Sequence, residues 1–85
     1  MKITVLYFAS LRESLGRDRE ELDLPDSVGT ASQLRSWLQG RGGAWAEQLA
    51  EGRAVRVAVN KRMADADTAI GMGAEVAFFP PVTGG

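Results

Sequence analysis

The residues best suited to chemistry are the last two of the sequence, Gly84 and Gly85. They place a backbone carboxylate at the end of the chain, a group with an ordinary pKa of about 3.5 that is ionised at neutral pH. A carboxylate oxygen can attack the α-phosphate of ATP to give an acyl-adenylate, and sulfur delivered to that acyl carbon gives a thiocarboxylate. Because neither glycine has a side chain, this end is thin enough to enter a narrow channel in another protein.

The residues before the glycine pair favour an extended path. Pro80 and Pro81 fix φ and direct the chain away from the body, and Val82 and Thr83 follow them. At ~3.1 Å per residue such a segment projects roughly 19 Å. We therefore predict a folded domain over residues 1–79 and an extended tail over residues 80–85. The alternative is a frayed tail without a role.

The side-chain inventory excludes most other chemistry. The sequence contains no cysteine and no histidine, so it offers no disulfide, no thiolate nucleophile, no imidazole base and no Cys/His zinc site. We predict no metal site and no Ser-His or Cys-His catalytic centre. Any chemistry is then carried by the backbone end, with the side chains serving recognition.

Charge and hydropathy argue against two classes of partner. The net charge of −1 provides no field to attract nucleic acid or an anionic membrane. The opening residues form a short strand-like run rather than a signal peptide, and no apolar stretch approaches the roughly 20 residues of a membrane span. We expect a cytoplasmic protein that binds neither nucleic acid nor membrane.

Four segments have the residue types and alternation of β-strands. They are residues 2–9, 19–24, 54–60 and 75–79, with a further short segment near Met63. In the first of them, Ile3, Val5 and Tyr7 share one face. Both faces of the first and last segments are apolar enough for central positions, so we expect these two strands to pair in parallel.

One main helix is predicted from Thr30 to Gly40. The sequence Thr30-Ala31-Ser32-Gln33 fits a capping box, and Ala31, Leu34, Trp37 and Leu38 follow at helical spacing. Residues 44–51 are predicted to form a second short helix, and residues 40–43 a loop that ends the main helix. Residues 10–16 are predicted to be a short polar connection, with one helical turn as the alternative. Two strands before the helix and two or three after it predict an α+β fold, a β-grasp in which a mixed sheet wraps around one main helix.

The sequence as a whole resembles the family of molybdopterin synthase small subunits, which are sulfur carriers. The segments that carry this resemblance are KITVLYFA near the start, AVN at residues 58–60 and the ending EVAFFPPVTGG. The resemblance implies a ubiquitin-like fold and adenylation of Gly85 by an E1-like enzyme that consumes ATP. It also implies conversion of Gly85 to a thiocarboxylate. No permanently bound cofactor is implied.

The resemblance further implies that the tail enters the large synthase subunit, within a heterotetramer. Sulfur then passes to cyclic pyranopterin monophosphate to build the dithiolene of molybdopterin, and the catalytic side chains lie on the large subunit. The residues expected to contact partners are Phe8, Met63, Phe79, Pro80, Pro81, Val82, Thr83 and Arg12. The alternatives are a loop that covers Phe8 and Phe79, and ordinary solvated surface charge for Arg12.

Two other functions remain open from the sequence. A sister carrier would share the fold and the C-terminal chemistry but deliver sulfur to thiazole or to tRNA bases. A ubiquitin-like interaction module would carry the two glycines without using them. Adding one residue after Gly85 separates a carrier from a docking module, because only the carrier needs a free terminal carboxylate.

Overall fold

The protein forms one five-stranded sheet with three helices, in a computed structural model that describes residues 1–81. The strands lie in the order β2-β1-β5-β3-β4. Their bounds are β1 Lys2–Tyr7, β2 Arg19–Asp23, β3 Arg56–Val59, β4 Arg62–Met63 and β5 Glu75–Phe79. The helices are α1 Ala9–Leu15, α2 Ala31–Gln39 and α3 Gly43–Gln48. The predicted α+β β-grasp is confirmed.

The first and last strands occupy the centre of the sheet and run in parallel, as predicted. Thr4 lies opposite Glu75, and Tyr7 lies opposite Phe78. All other strand pairs are antiparallel. Because parallel strands end at the same edge, the chain leaves β5 beside the point where it leaves β1.

The helices cover one face of the sheet and enclose the core between them. Ile3, Val5 and Tyr7 point inward from β1 and are at most 1% exposed, which confirms the predicted alternation. Val76 and Phe78 of β5 are fully buried beside them, and Leu34 and Leu38 of α2 pack against the same core. Burial of apolar side chains is the main favourable contribution to the free energy of folding.

The capping box at the start of α2 is confirmed. The Thr30 hydroxyl accepts from the Gln33 backbone N–H at 3.3 Å, and the Gln33 side chain accepts from the Thr30 backbone N–H at 3.2 Å. Two backbone donors that the first helical turn leaves unpaired are thereby satisfied. Trp37, which shares the predicted helical spacing with Leu34 and Leu38, is half-buried at the margin of the core.

The segment predicted as a polar connection is a seven-residue helix, α1. Leu11 and Leu15 are four residues apart and both are buried, so together they anchor one side of the helix to the core. Gly16 ends the helix in the left-handed conformation, with φ of 73°. The second short helix is confirmed as α3, and Leu49 directly after it is fully buried.

β3 is shorter than predicted and begins at Arg56 rather than Ala54. Val59 is buried, whereas Val55 and Val57 are half-buried. The two half-buried valines line an open groove with Ala31 and Arg35 of α2, so the helix does not cover them fully. No helix in residues 1–81 combines the length and the apolar character needed to cross a membrane.

Candidate functional site

The sheet topology places the start of the tail next to the end of β1. The Phe8 backbone N–H donates to the Phe78 carbonyl at 3.1 Å, so Phe8 lies beside the last residues of β5. Phe79 follows in β5, and Pro80 and Pro81 follow it. Phe8 and Phe79 therefore lie at the same end of the sheet, where the tail begins.

The two aromatic rings differ in exposure. Phe8 is 46% exposed, so no loop in the part of the chain that the structure describes covers it. Phe79 has the outward register of β5 but is half-buried, as are Pro80 and Pro81. Phe8 is therefore the ring available for contact with a partner, and Phe79 contributes a smaller surface.

An apolar row crosses the sheet face opposite the helices. Four residues lie side by side in it, one on each of four neighbouring strands: Leu6, Ala77, Ala58 and Met63. The first three are half-buried, and Met63 at the edge of the row is 59% exposed. None of these four residues belongs to the core of residues 1–81 or packs against it, and Met63 also lines a groove with Ser32 and Arg35 of α2. We call this surface, together with Phe8 and Phe79, the docking face.

Charged residues surround the apolar part of the docking face. Arg56 lies opposite Phe79 at the tail end, and Arg19 lies opposite Leu6. Glu75 and Glu21 flank Thr4, which lies two residues further from the tail than Leu6. An apolar centre with a charged margin is the usual composition of a protein–protein interface.

Arg12 lies on α1, where its backbone N–H donates to the Phe8 carbonyl at 3.4 Å, and its side chain is exposed. Among the described residues it takes part in no ion pair. Its backbone carbonyl accepts from Gly16 and helps to end α1. The structure thus places Arg12 where a partner can reach it, and its contact with a partner stays a prediction.

Backbone geometry directs the Phe8 side chain. Phe8 caps α1 in an extended conformation, and Ala9 follows with φ of 53°. A residue with a β-carbon adopts this left-handed conformation at a cost of roughly 1–2 kcal/mol. The sharp change of direction ends β1 and leaves the Phe8 ring outside the core.

A polar network that the sequence did not predict surrounds the Tyr7 hydroxyl at the end of β1. The Tyr7 hydroxyl donates to Glu20 at 2.7 Å and accepts from the Trp45 indole N–H at 3.2 Å. Arg41 donates twice to the Glu20 carboxylate, at 2.8 and 2.9 Å. Its guanidinium also lies 5.0 Å from the Trp45 ring centre and 5.6 Å from that of Trp37.

The network joins the sheet to the helices. Tyr7 stacks on Phe78 with ring centres 6.3 Å apart, one residue before Phe79. No local sequence pattern could have revealed a network whose members lie far apart in the chain. Arg41 in particular lies in the segment that the sequence predicted only as a helix-ending loop.

The network shifts the pKa values of two groups. Burial is the main cause that raises the pKa of Tyr7; the Trp45 hydrogen bond opposes this rise and Glu20 adds to it. Burial alone would raise the pKa of Glu20 as well, but hydrogen bonds from Arg41 and Tyr7 and the nearby arginine charges lower it overall. At neutral pH Tyr7 is therefore a neutral phenol and Glu20 is an ionised carboxylate. The hydrogen bond between them stabilises the fold.

A shallow groove of about 260 Å³ lies beside the start of the tail. Its lining includes Ser10, Gln48, Arg53 and Pro80 and contains no carboxylate. Within residues 1–81 no group of three acidic side chains is placed to hold a metal ion. The groove offers contact surface and hydrogen-bonding groups rather than a catalytic centre.

Four of the predicted site residues lie outside the described residues. They are Val82, Thr83, Gly84 and Gly85, which include the two residues predicted to carry the chemistry. What the structure does place is the origin of the tail, at Pro80 and Pro81, and the docking face beside it.

The order and direction of the strands define a ubiquitin-like β-grasp protein. The model of the ThiS family matches residues 5–85, and the chain belongs to that family. Two curated relatives are molybdopterin synthase sulfur carrier subunits, from Haemophilus influenzae and Escherichia coli. Each is 41% identical, over 83 and 85 residues, and each alignment covers 98% of this chain and 99% of the relative.

A solved structure supports the same assignment. It is a putative molybdopterin converting factor, subunit 1, from Pyrococcus furiosus, and it is 32% identical to this chain. It superimposes with a TM-score of 0.79, and the alignment covers 96% of this chain and 99% of that structure. The fold is thus shared over nearly the full length of both chains.

Proposed function

We propose that this protein is the sulfur-carrying subunit of a molybdopterin synthase. The observation that carries the proposal is the pair of relatives with that name, aligned over 98% of this chain. The family match runs through Gly85, so it includes the glycine pair required for the chemistry. The proposal needs Gly85 to be the C-terminal residue of the working protein.

The proposed reaction begins with activation of Gly85. A carboxylate oxygen of Gly85 attacks the α-phosphorus of ATP in an E1-like partner, and pyrophosphate leaves. A sulfur nucleophile then displaces AMP from the acyl carbon, which leaves a thiocarboxylate. Inside the large synthase subunit, this sulfur forms a bond to the acceptor, cyclic pyranopterin monophosphate. Water then hydrolyses the acyl–sulfur bond, which leaves the sulfur on the acceptor and regenerates the carboxylate of Gly85.

The described residues contribute recognition to this sequence of reactions. The docking face presents an apolar row with Phe8 and Met63 exposed, and the tail starts at the same end of the sheet. A partner that binds the face therefore receives the tail from a fixed origin. In this proposal the catalytic side chains belong to the large subunit, because the carrier has neither cysteine nor histidine.

Intact mass spectrometry of carrier purified from cells with active sulfur transfer tests the proposal. A fraction of the protein should have the mass increment of one oxygen replaced by sulfur, and fragmentation should locate it at Gly85. A variant with one residue added after Gly85 should lack the increment and remain folded. Sulfur located at an internal residue would contradict the carrier mechanism.

The glycine pair provides a second test. Gly84→Ala and Gly85→Ala should leave thermal unfolding unchanged and impair activation or sulfur transfer, because an added methyl narrows the fit within a partner's channel. Gly52→Ala is a matched control, since a β-carbon there meets no atom within 4 Å. Unfolding of the domain by either tail variant would show that the tail is structural.

Transfer of sulfur to thiazole or to tRNA bases remains the alternative within the same chemistry. The ThiS family match does not separate these acceptors, whereas the two molybdopterin synthase relatives favour molybdopterin. Purified large synthase subunit and cyclic pyranopterin monophosphate decide between them. The thiocarboxylated carrier should yield molybdopterin in that mixture, and no product would favour a sister carrier.

A further inference from the structure

Met63 is a sulfur side chain that lies on the docking face and is open to solvent. The chain has three methionines and no cysteine, so the thioethers are its oxidisable sulfur side chains. Met63 is 59% exposed and lies in β4 opposite Ala58. Through Ala58 and Ala77 it continues the apolar row that reaches Leu6.

The other two methionines occupy different positions. Met72 is 83% exposed, but it belongs to the turn in which Gly73 donates to the Lys2 carbonyl, where β1 begins. This is the opposite end of the sheet from the tail. Met1 is half-buried and packs against the core. An oxidant thus reaches two methionines easily, and one of these two lies on the docking face.

We propose that Met63 is a reversible oxidation site that controls docking of the carrier. The proposal rests on the proposed function, because it concerns the same docking face. A hydroperoxide transfers one oxygen atom to the Met63 sulfur and is reduced to the alcohol, or to water when it is hydrogen peroxide. The thioether is oxidised by two electrons to a sulfoxide. Two thiols reverse the step, forming a disulfide and water.

The sulfoxide opposes docking for a physical reason. A thioether is apolar and flexible, and it adapts to the surface of a partner. A sulfoxide is polar, and its oxygen loses water when a partner covers it. Ala58 and Ala77 in the apolar row offer no side-chain donor to that oxygen. Arg35 lines a groove with Met63, but its Nε and Nη2 donate to the carbonyls of Leu49 and Ala50, so most of the cost of desolvation is not recovered. Affinity for the large subunit should fall at least about tenfold.

The oxidation should leave the fold intact. Met63 lies in a two-residue edge strand and does not belong to the core. The core at the other side of the sheet is formed by residues such as Val59 and Val76. A loss of affinity after oxidation therefore reports on the docking face rather than on unfolding.

Hydrogen peroxide treatment of the whole carrier tests the proposal. Peptide mass mapping should find sulfoxide at Met63 and Met72, and calorimetric titration with purified large subunit should show the loss of affinity. The affinity of Met63→Leu should be the same before and after peroxide treatment, whereas the affinity of Met72→Leu should fall on treatment as that of the native chain does. Methionine sulfoxide reductases should restore binding, and Met63→Gln should bind weakly without any oxidant.

The outcomes separate this inference from the proposed function. If the untreated carrier fails to bind the large subunit, both the proposed function and the role of Met63 are contradicted. Normal binding before and after complete oxidation of Met63 would overturn the inference alone. Loss of affinity in oxidised Met63→Leu, or a lowered melting temperature that accompanies oxidation, would also overturn it.

Discussion

At the residue scale, the turn between β3 and β4 contains a residue whose type does not suit its backbone conformation. Asn60 and Lys61 connect the two strands, and both have positive φ, at 50° and 68°. Hairpin turns of two residues favour this geometry because it matches the twist of the strands. Asn60 suits the first position, and its side chain also accepts from the Glu75 N–H at 3.0 Å. Lys61 occupies the position where glycine is preferred.

Lys61→Gly should therefore stabilise the protein. Removing the β-carbon relieves the left-handed strain, although the greater freedom of glycine in the unfolded chain offsets part of the gain. We expect up to about 1 kcal/mol, seen as a higher midpoint in urea unfolding. Lys61→Ala is the control, since it removes the charge and keeps the β-carbon. Equal stabilisation by both variants would show that charge, not conformation, is the cause.

A second prediction at the residue scale concerns the contribution of the Glu20 carboxylate to stability. Its side chain is 9% exposed and pairs with Arg41 and Arg17. Glu20→Gln should destabilise the protein at neutral pH by roughly 1.5–3 kcal/mol, the usual contribution of hydrogen bonds to a charged group. Because the pKa of Glu20 is lowered in the folded state, the native chain should lose this advantage as pH falls below about 4.3.

The two stability curves should therefore converge on acidification. Chemical unfolding at a series of pH values between neutrality and pH 3 measures them. Glu21→Gln is a matched control, because Glu21 is the next residue of the same strand and is exposed. A gap between the native chain and Glu20→Gln that stays constant through this range would contradict the lowered pKa.

At the element scale, the sequence revealed elements whose signals are local. The capping box at Thr30 and the alternation in β1 depend on neighbours within a few residues, and both are present as predicted. The helix α1 was missed because seven residues give too short a window for helical periodicity. The four-residue spacing of Leu11 and Leu15 was a helical signal in this segment, and both side chains are buried in α1.

The start of α2 provides a prediction at this scale. Thr30→Ala should cost about 1 kcal/mol, since the Gln33 N–H loses its acceptor in the folded state. For a domain of this size that lowers the melting temperature by roughly 4–8 °C. Ser36→Ala is the control, because Ser36 is exposed in the same helix and outside the capping box. Equal effects of both variants would show that the cap contributes nothing specific.

At the scale of the whole molecule, the central pairing of β1 and β5 links the fold to the proposed function. Their apolar composition on both faces predicted this pairing, and it brings Phe8 beside the start of the tail. The exposure of individual residues was harder to predict. Phe8 is exposed because Ala9 turns the chain sharply, whereas Phe79 is half-buried. The Arg41 network depends on contacts between four separate elements and has no local signal.

Phe8 and Phe78 provide a direct comparison of docking and folding. Phe78 is fully buried and stacks on Tyr7, so Phe78→Ala should destabilise the carrier by roughly 3–5 kcal/mol. Phe8→Ala should leave the melting temperature nearly unchanged and weaken binding to the large synthase subunit by ~2 kcal/mol or more, as an aromatic anchor does. Thermal unfolding and calorimetric binding of each purified variant measure both effects. Normal affinity of Phe8→Ala would show that Phe8 does not contribute to binding. A large drop in the melting temperature of this variant would show that the ring belongs to the core.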